Sequence, residues 1–176
     1  METSRSPWNA RSGGSCFPRI DACGNPVPCC RGKQHRYESL ALLKGEGVLL
    51  QVTASVRAAL VAHATAELPN EACGLVLFEG DAAVEYVPGR NASPSPYHFA
   101  LDIDPLTWAD LNDREVTQAV FHSHISSPPR PSRTDVQNIG LWAGQPYLIY
   151  TVRTDELAAW RIHESGSIEQ IPLRFE

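Results

Sequence analysis

The chain has 176 residues, 43% of them hydrophobic and 20% charged, with a formal charge of −5. Those proportions fit a soluble globular domain large enough for a proper core. No run approaches the roughly 18 apolar residues of a membrane helix, and an acidic balance without a basic stripe argues against nucleic acid as a partner.

Charge divides the chain in two. Residues 1–46 carry seven Lys/Arg against four Asp/Glu, and the remainder carries eight against sixteen. The first stretch is rich in Ser, Gly, Pro and Arg and holds Cys16, Cys23, Cys29 and Cys30. Such a composition buries too little surface to offset its ordering entropy, so residues 1–46 are expected to be a poorly ordered extension and residues 47–176 the folded domain. The cysteine spacing fits no paired zinc pattern; a knuckle completed by His35 is the minor alternative, and Arg36–Lys44 is compatible with a transient helix. The opening residues Met1–Pro7 lack the apolar segment of a secretory signal, which makes the cytoplasm the expected compartment.

From Val48 the pattern becomes regular. Val48–Val52 reads as a short edge strand, and Thr53 as the N-cap of a helix to about Leu68, with Val56, Leu60, Ala64 and Glu67-Leu68 near its core stripe. His63 belongs on that helix as a surface or boundary residue. Ala72–Phe78 is a buried strand, turned by Gly80-Asp81 into Ala83–Val87. Asn91–Pro96 is a turn-rich connection, and Tyr97–Leu101 a strand. Pro105–Leu111 is a short helix with proline in its first turn. Residues 117–123 read as a buried strand, Ser132 to about Trp142 as a helix, and Tyr147–Val152, Leu157–Ile162 and Ile168–Ile171 as strands joined by turns at Asp155-Glu156 and Ser165-Gly166. Strands interleaved with three helices predict an α/β layered domain with a mixed sheet.

The chemistry concentrates between His122 and Asp135. Side chains alternate along a strand, so His122 and His124 point to the same face at the end of the 117–123 strand. A Pro-rich loop leads to Ser132, where a helix start would carry Asp135 back toward them. Two nitrogens and one carboxylate oxygen make a set of three protein ligands for Zn²⁺, with the fourth tetrahedral position left for water. Ser132-x-x-Asp135 is equally a capping-box pattern, and the two roles are compatible.

At these residues the chain resembles the JAMM, or MPN-plus, metalloproteases, whose signature is a distant Glu, then His-x-His-Pro, six residues, Ser, two residues and Asp. His122, His124, Ser132 and Asp135 fall on that spacing; Ile125 stands where the signature has Pro. The resemblance runs from about Leu50 to the C-terminus. It implies a single JAMM/MPN-like (cytidine-deaminase-like) layered domain, one Zn²⁺ per chain on His122, His124 and Asp135, and Glu71 as the distant glutamate. Without the resemblance, Glu71 would read as a solvated loop residue. Zinc lowers the pKa of its water from about 15.7 to about 7; Glu71 would relay the proton to the leaving amine, and Ser132 would donate to the developing oxyanion. Tyr97, His98 and Phe99 become candidate groove residues, with plain strand packing as the alternative.

Ser132–Val136 and Asn70–Gly74 resemble most the small bacterial members that process ubiquitin-like sulfur-carrier proteins. The implied substrate is the peptide or isopeptide bond at an extended, Gly-rich carrier tail, with cysteine as the released residue in a biosynthetic route. Three rivals differ in class. An MPN-type scaffold without catalysis would lack the ligands. A zinc deaminase would need His-x-Glu and Pro-Cys-x-x-Cys, which are missing. A zinc peptidase for small free peptides would share the site. Cys73 lies in an apolar run and is expected to be buried and inert rather than a nucleophile.

Overall fold

The computed structural model describes residues 48–176 except Pro94 and Pro96, together with two short strands, β1 (Arg19–Ile20) and β2 (Pro26–Val27). These two pair antiparallel, Arg19 opposite Val27, within a unit of residues 1–39 distinct from that of residues 40–176. The expectations for Cys16, Cys23, Cys29, Cys30, His35 and the Arg36–Lys44 helix, and for the order of the rest of 1–46, fall outside the described residues.

The second unit is a mixed sheet with helices on its faces. Its strands are β3 (Leu50–Val52), β4 (Cys73–Glu79), β5 (Ala82–Asn91), β6 (Leu101–Asp102), β7 (Thr117–His124), β8 (Pro146–Thr151), β9 (Glu156–Ile162), β10 (Ile168–Ile171) and β11 (Leu173–Phe175). They lie in the order β10-β9-β8-β7-β4-β5-β3-β11, with β6 beside β5. The central β7 runs antiparallel to β4 and parallel to β8. Buried on both sides, β4 and β8 read as near-continuous apolar runs, as central strands do, whereas β7 is apolar only over Ala119–Phe121 and ends in the buried polar residues His122, Ser123 and His124.

Helix α1 (Ala54–Ala66) begins where the Thr53 side chain accepts the Val56 N–H. Val56, Leu60 and Ala64, one turn apart, form its buried stripe and pack on Leu50, Val52, Val76, Phe78, Phe121, Leu148 and Tyr150. The opposite face carries Leu75, Leu77, Val120, Tyr147, Ile149 and Ile162, covered by Leu111 of α2 (Pro105–Asp113) and by residues around α3 (Arg133–Gln137). Gly74 permits β4 and β5 to close: a Cβ there would fall 2.5 Å from the Val87 carbonyl oxygen and 2.7 Å from the Tyr86 ring.

Four expectations need correction. β3 is not an edge strand, because β11 adds to it in parallel, Leu173 opposite Leu50; Pro172 separates β11 from β10 and hides it from a pattern search. Leu68 lies outside the α1 core stripe and is exposed. Tyr97–Leu101 is not a strand. Only Leu101–Asp102 is strand; before it the Ala100 carbonyl accepts the Ala92 N–H, and the Asn91 Oδ1 accepts from the Ser93 and Ala100 N–H groups. Finally, the helix from Ser132 stops at Gln137 and a separate 3₁₀ turn, Gly140–Trp142, follows. Gly140 has φ +49°, a left-handed conformation that interrupts the helix. Among the described residues no helix is long and apolar enough to cross a membrane.

Candidate metal centre

Three elements meet at the C-terminal end of β7. His122 and His124 project from the same face of that strand as Val120, buried in both cases. Their Nε2 atoms lie 3.1 Å apart. Asp135, in the first turn of α3, places Oδ1 3.6 Å from His122 Nε2. One donor atom from each residue lies within 4.8 Å of the others. The sequence spacing thus brings all three together.

The fit of this set to a metal ion follows from its hydrogen bonding. The Pro128 carbonyl lies 2.8 Å from His124 Nδ1 and can only accept, so Nδ1 carries the proton and Nε2 offers a bare lone pair. Burial holds the His122 imidazole well below its ordinary pKa, with the Asp135 charge opposing and His124 assisting. Two imidazoles and a carboxylate therefore converge on one point. Phe99 stacks on the His122 ring with centroids 4.6 Å apart, and the Tyr147 ring flanks it at 5.3 Å.

Ser132 begins α3 with a reciprocal cap. Its Oγ accepts the Asp135 N–H at 3.2 Å, and its own N–H donates to Asp135 Oδ2 at 2.6 Å. Burial opposes ionisation of Asp135, but His122 and the Ser132 hydrogen bonds prevail and hold its carboxyl below the usual value.

Glu71 precedes β4. The register sets Cys73 opposite His122, and Glu71 lies two residues before it, on the side toward His124. Ser123 locks this end: its N–H donates to the Ala72 carbonyl and its Oγ accepts the Ala72 N–H, both at 2.9 Å. The Asn91 amide donates to the Glu71 carbonyl at 2.8 Å, linking Glu71 to the segment that ends in Phe99. Glu71 is buried, and desolvation, with the Asp135 charge adding to it, raises its carboxyl to about 8. A carboxyl whose pKa is brought toward neutrality can both take up and release a proton in that pH range.

The loop between His124 and Ser132 is held through its carbonyls. Those of His124 and Ile125 accept from the Val152 and Arg153 N–H groups. Ser126 accepts from the Arg153 guanidinium, Ser127 from the Thr151 hydroxyl, Pro128 from His124, and Pro129 from the Trp160 indole at 2.7 Å. Six consecutive carbonyls are satisfied, so the loop is fixed without a proline at position 125.

Of the groove candidates, Phe99 reaches the centre, His98 contacts the Ser93 hydroxyl, and Tyr97 is exposed. Cys73 is buried, and desolvation raises its thiol to about 12, with Glu67 and Glu71 contributing; it remains a thiol. Sequence reasoning missed Ser123, Asn91, Tyr147, Thr151 and Trp160. Only Ser123, a hydroxyl between two histidines in an apolar strand, left a visible trace.

Comparison with known proteins agrees with this architecture. The family of prokaryotic homologs of the JAB domain matches residues 53–163. The CysO-cysteine peptidase of Mycobacterium tuberculosis is 32% identical over 139 residues, covering 74% of this chain and 94% of the relative. The desampylase of Pyrococcus furiosus is 29% identical over 111 residues, covering 60% and 76%. A solution structure from Desulfitobacterium hafniense superposes with a TM-score of 0.61 at 27% identity, covering 72% of this chain and 92% of that one. The fold is the mixed α/β JAB/MPN fold, homologous to peptidases, and the chain belongs to the prokaryotic JAB-domain family.

Proposed function

We propose that this chain is a zinc-dependent peptidase that cleaves the peptide or isopeptide bond at the C-terminal tail of a ubiquitin-like, sulfur-carrier type protein, releasing an amino acid such as cysteine. The strongest support is the convergence of His122 Nε2, His124 Nε2 and an Asp135 oxygen beside a buried glutamate. Similarity to a CysO-cysteine peptidase and to a desampylase supports the substrate class. Residues 47–176 are the working domain in this reading, and the cytoplasm its setting.

His122, His124 and Asp135 would hold one Zn²⁺. When bound, zinc supplies Lewis acidity and lowers the pKa of a coordinated water from about 15.7 to about 7. Glu71 takes a proton from the attacking water on its carboxylate and returns it to the departing amine nitrogen, a relay typically contributing about 10²–10⁴ in rate. The Ser132 hydroxyl donates to the carbonyl oxygen as it gains charge, worth roughly 10²–10³. The carrier tail lies extended, where backbone hydrogen bonds give affinity and small side chains give access.

The test is to incubate the protein with a carrier bearing a C-terminal amino-acid extension and follow intact mass, with zinc and with chelator. Loss of the extension's mass with zinc alone is expected. Cleavage of free dipeptides but not of the carrier would favour a small-peptide hydrolase, and no bound zinc after reduction and resupply would favour a scaffold.

A further inference from the structure

We propose that Tyr147 is a positioning residue for the metal, its hydroxyl selecting which oxygen of Asp135 faces the ion. The inference rests on the zinc reading of the site.

A carboxylate offers about four acceptor directions over its two oxygens. In Asp135 the Ser132 N–H occupies Oδ2 at 2.6 Å. That donor comes from the same helical turn, and a carboxylate gripped at one oxygen can still rock about that contact. The second grip comes from another element. Tyr147 stands at the beginning of β8, on the site face of the sheet, and its O–H donates to Oδ1 at 3.2 Å. Oδ1 is also the oxygen 3.6 Å from His122 Nε2. Two donors from two elements thus fix the plane of the carboxylate, and the free direction of Oδ1 is turned toward the imidazole pair.

The phenol is placed for this task rather than for general packing. Tyr147 is 3% exposed, so little water can substitute for the bond. Its ring stands 5.3 Å from that of His122, so one side chain steers Asp135 and walls a histidine. Partners of this kind beside ligating groups typically contribute about 10–100-fold in metal affinity. Tyr150 offers an internal comparison: it lies on the same strand but the opposite face, and its hydroxyl bonds Asp155 in a turn instead.

The experiment measures zinc dissociation constants by chelator competition for wild type, Tyr147→Phe and Tyr150→Phe, with the visible spectrum of each cobalt-substituted protein. Phe keeps the ring and its packing, and circular dichroism checks that each variant is folded. Tyr147→Phe should weaken zinc about 10–100-fold and change the cobalt bands, whereas Tyr150→Phe should stay within about twofold with an unchanged spectrum. A Tyr147→Phe variant that binds zinc like wild type, or two variants that weaken it alike, would overturn the positioning role while leaving the zinc reading intact. Wild-type protein that binds no zinc would overturn both.

Discussion

The two faces of one sheet show how a fold can separate stability from chemistry. Toward α1, residues such as Val76, Phe78, Phe121 and Leu148 form a continuous apolar layer. Toward α2 and α3, the same strands carry Leu75, Leu77, Val120 and Ile149, but His122 and His124 close β7, Glu71 stands just before β4, and Asp135 arrives from α3. Alternation within β7 makes the division: Phe121 belongs to one face, and Val120 and His122 to the other. The apolar face loses contacts when changed; the site face holds desolvated ionisable groups, three of which stand close enough together to share a metal ion.

The largest effect tests the site face directly. His124→Ala or Asp135→Ala should abolish both zinc content and turnover, measured by metal analysis and carrier cleavage. Glu71→Gln should keep zinc but lower turnover about 10²–10⁴-fold. If that variant cleaves normally, another group moves the proton. On the other face, Leu60→Ala should destabilise the fold by about 2–5 kcal/mol, read from urea unfolding, while turnover per folded molecule and zinc content hold. Thr151→Val removes the donor to the Ser127 carbonyl and should cost about 1–3 kcal/mol, with a smaller loss of zinc affinity than any ligand variant.

The pH dependence of the metal-free protein supplies the finest test. Glu71 rises from an ordinary 4.5 to about 8 on folding, through burial and then the Asp135 charge. Between those values the folded state holds a proton that the unfolded chain has released. This contribution to stability is therefore fully present below about pH 4.5 and is lost as pH rises through about 8. Urea midpoints for wild type and Glu71→Gln at pH 5 and pH 9 should differ in slope, with the glutamine variant flatter.

The grouping of His122, His124 and Asp135 was legible in the sequence because it rests on local rules. Strand parity unites His122 and His124, and a helix N-terminus presents Ser132 and Asp135 together. Turn residues were equally local: Gly80 and Gly166 have positive φ where the hairpins turn, as does Asp155. What stayed hidden depends on partners distant in sequence. Nothing in Tyr147-Leu-Ile-Tyr150 tells which phenol meets Asp135 and which meets Asp155, since that depends on the face turned toward α1. Trp160 reaches Pro129 only because β9 lies beside β8. The Tyr97–Leu101 strand was wrong because Asn91 supplies, through its side chain, the acceptor that a neighbouring strand would otherwise provide.

The unbroken chain of satisfied carbonyls from His124 to Pro129 makes the span between histidine and aspartate behave as a calliper of fixed opening. Each residue is pinned at its own station, so an inserted or deleted residue could not be absorbed as slack and would shift every later grip by one place. Replacement of single side chains in this span should therefore be far better tolerated than any change in its length.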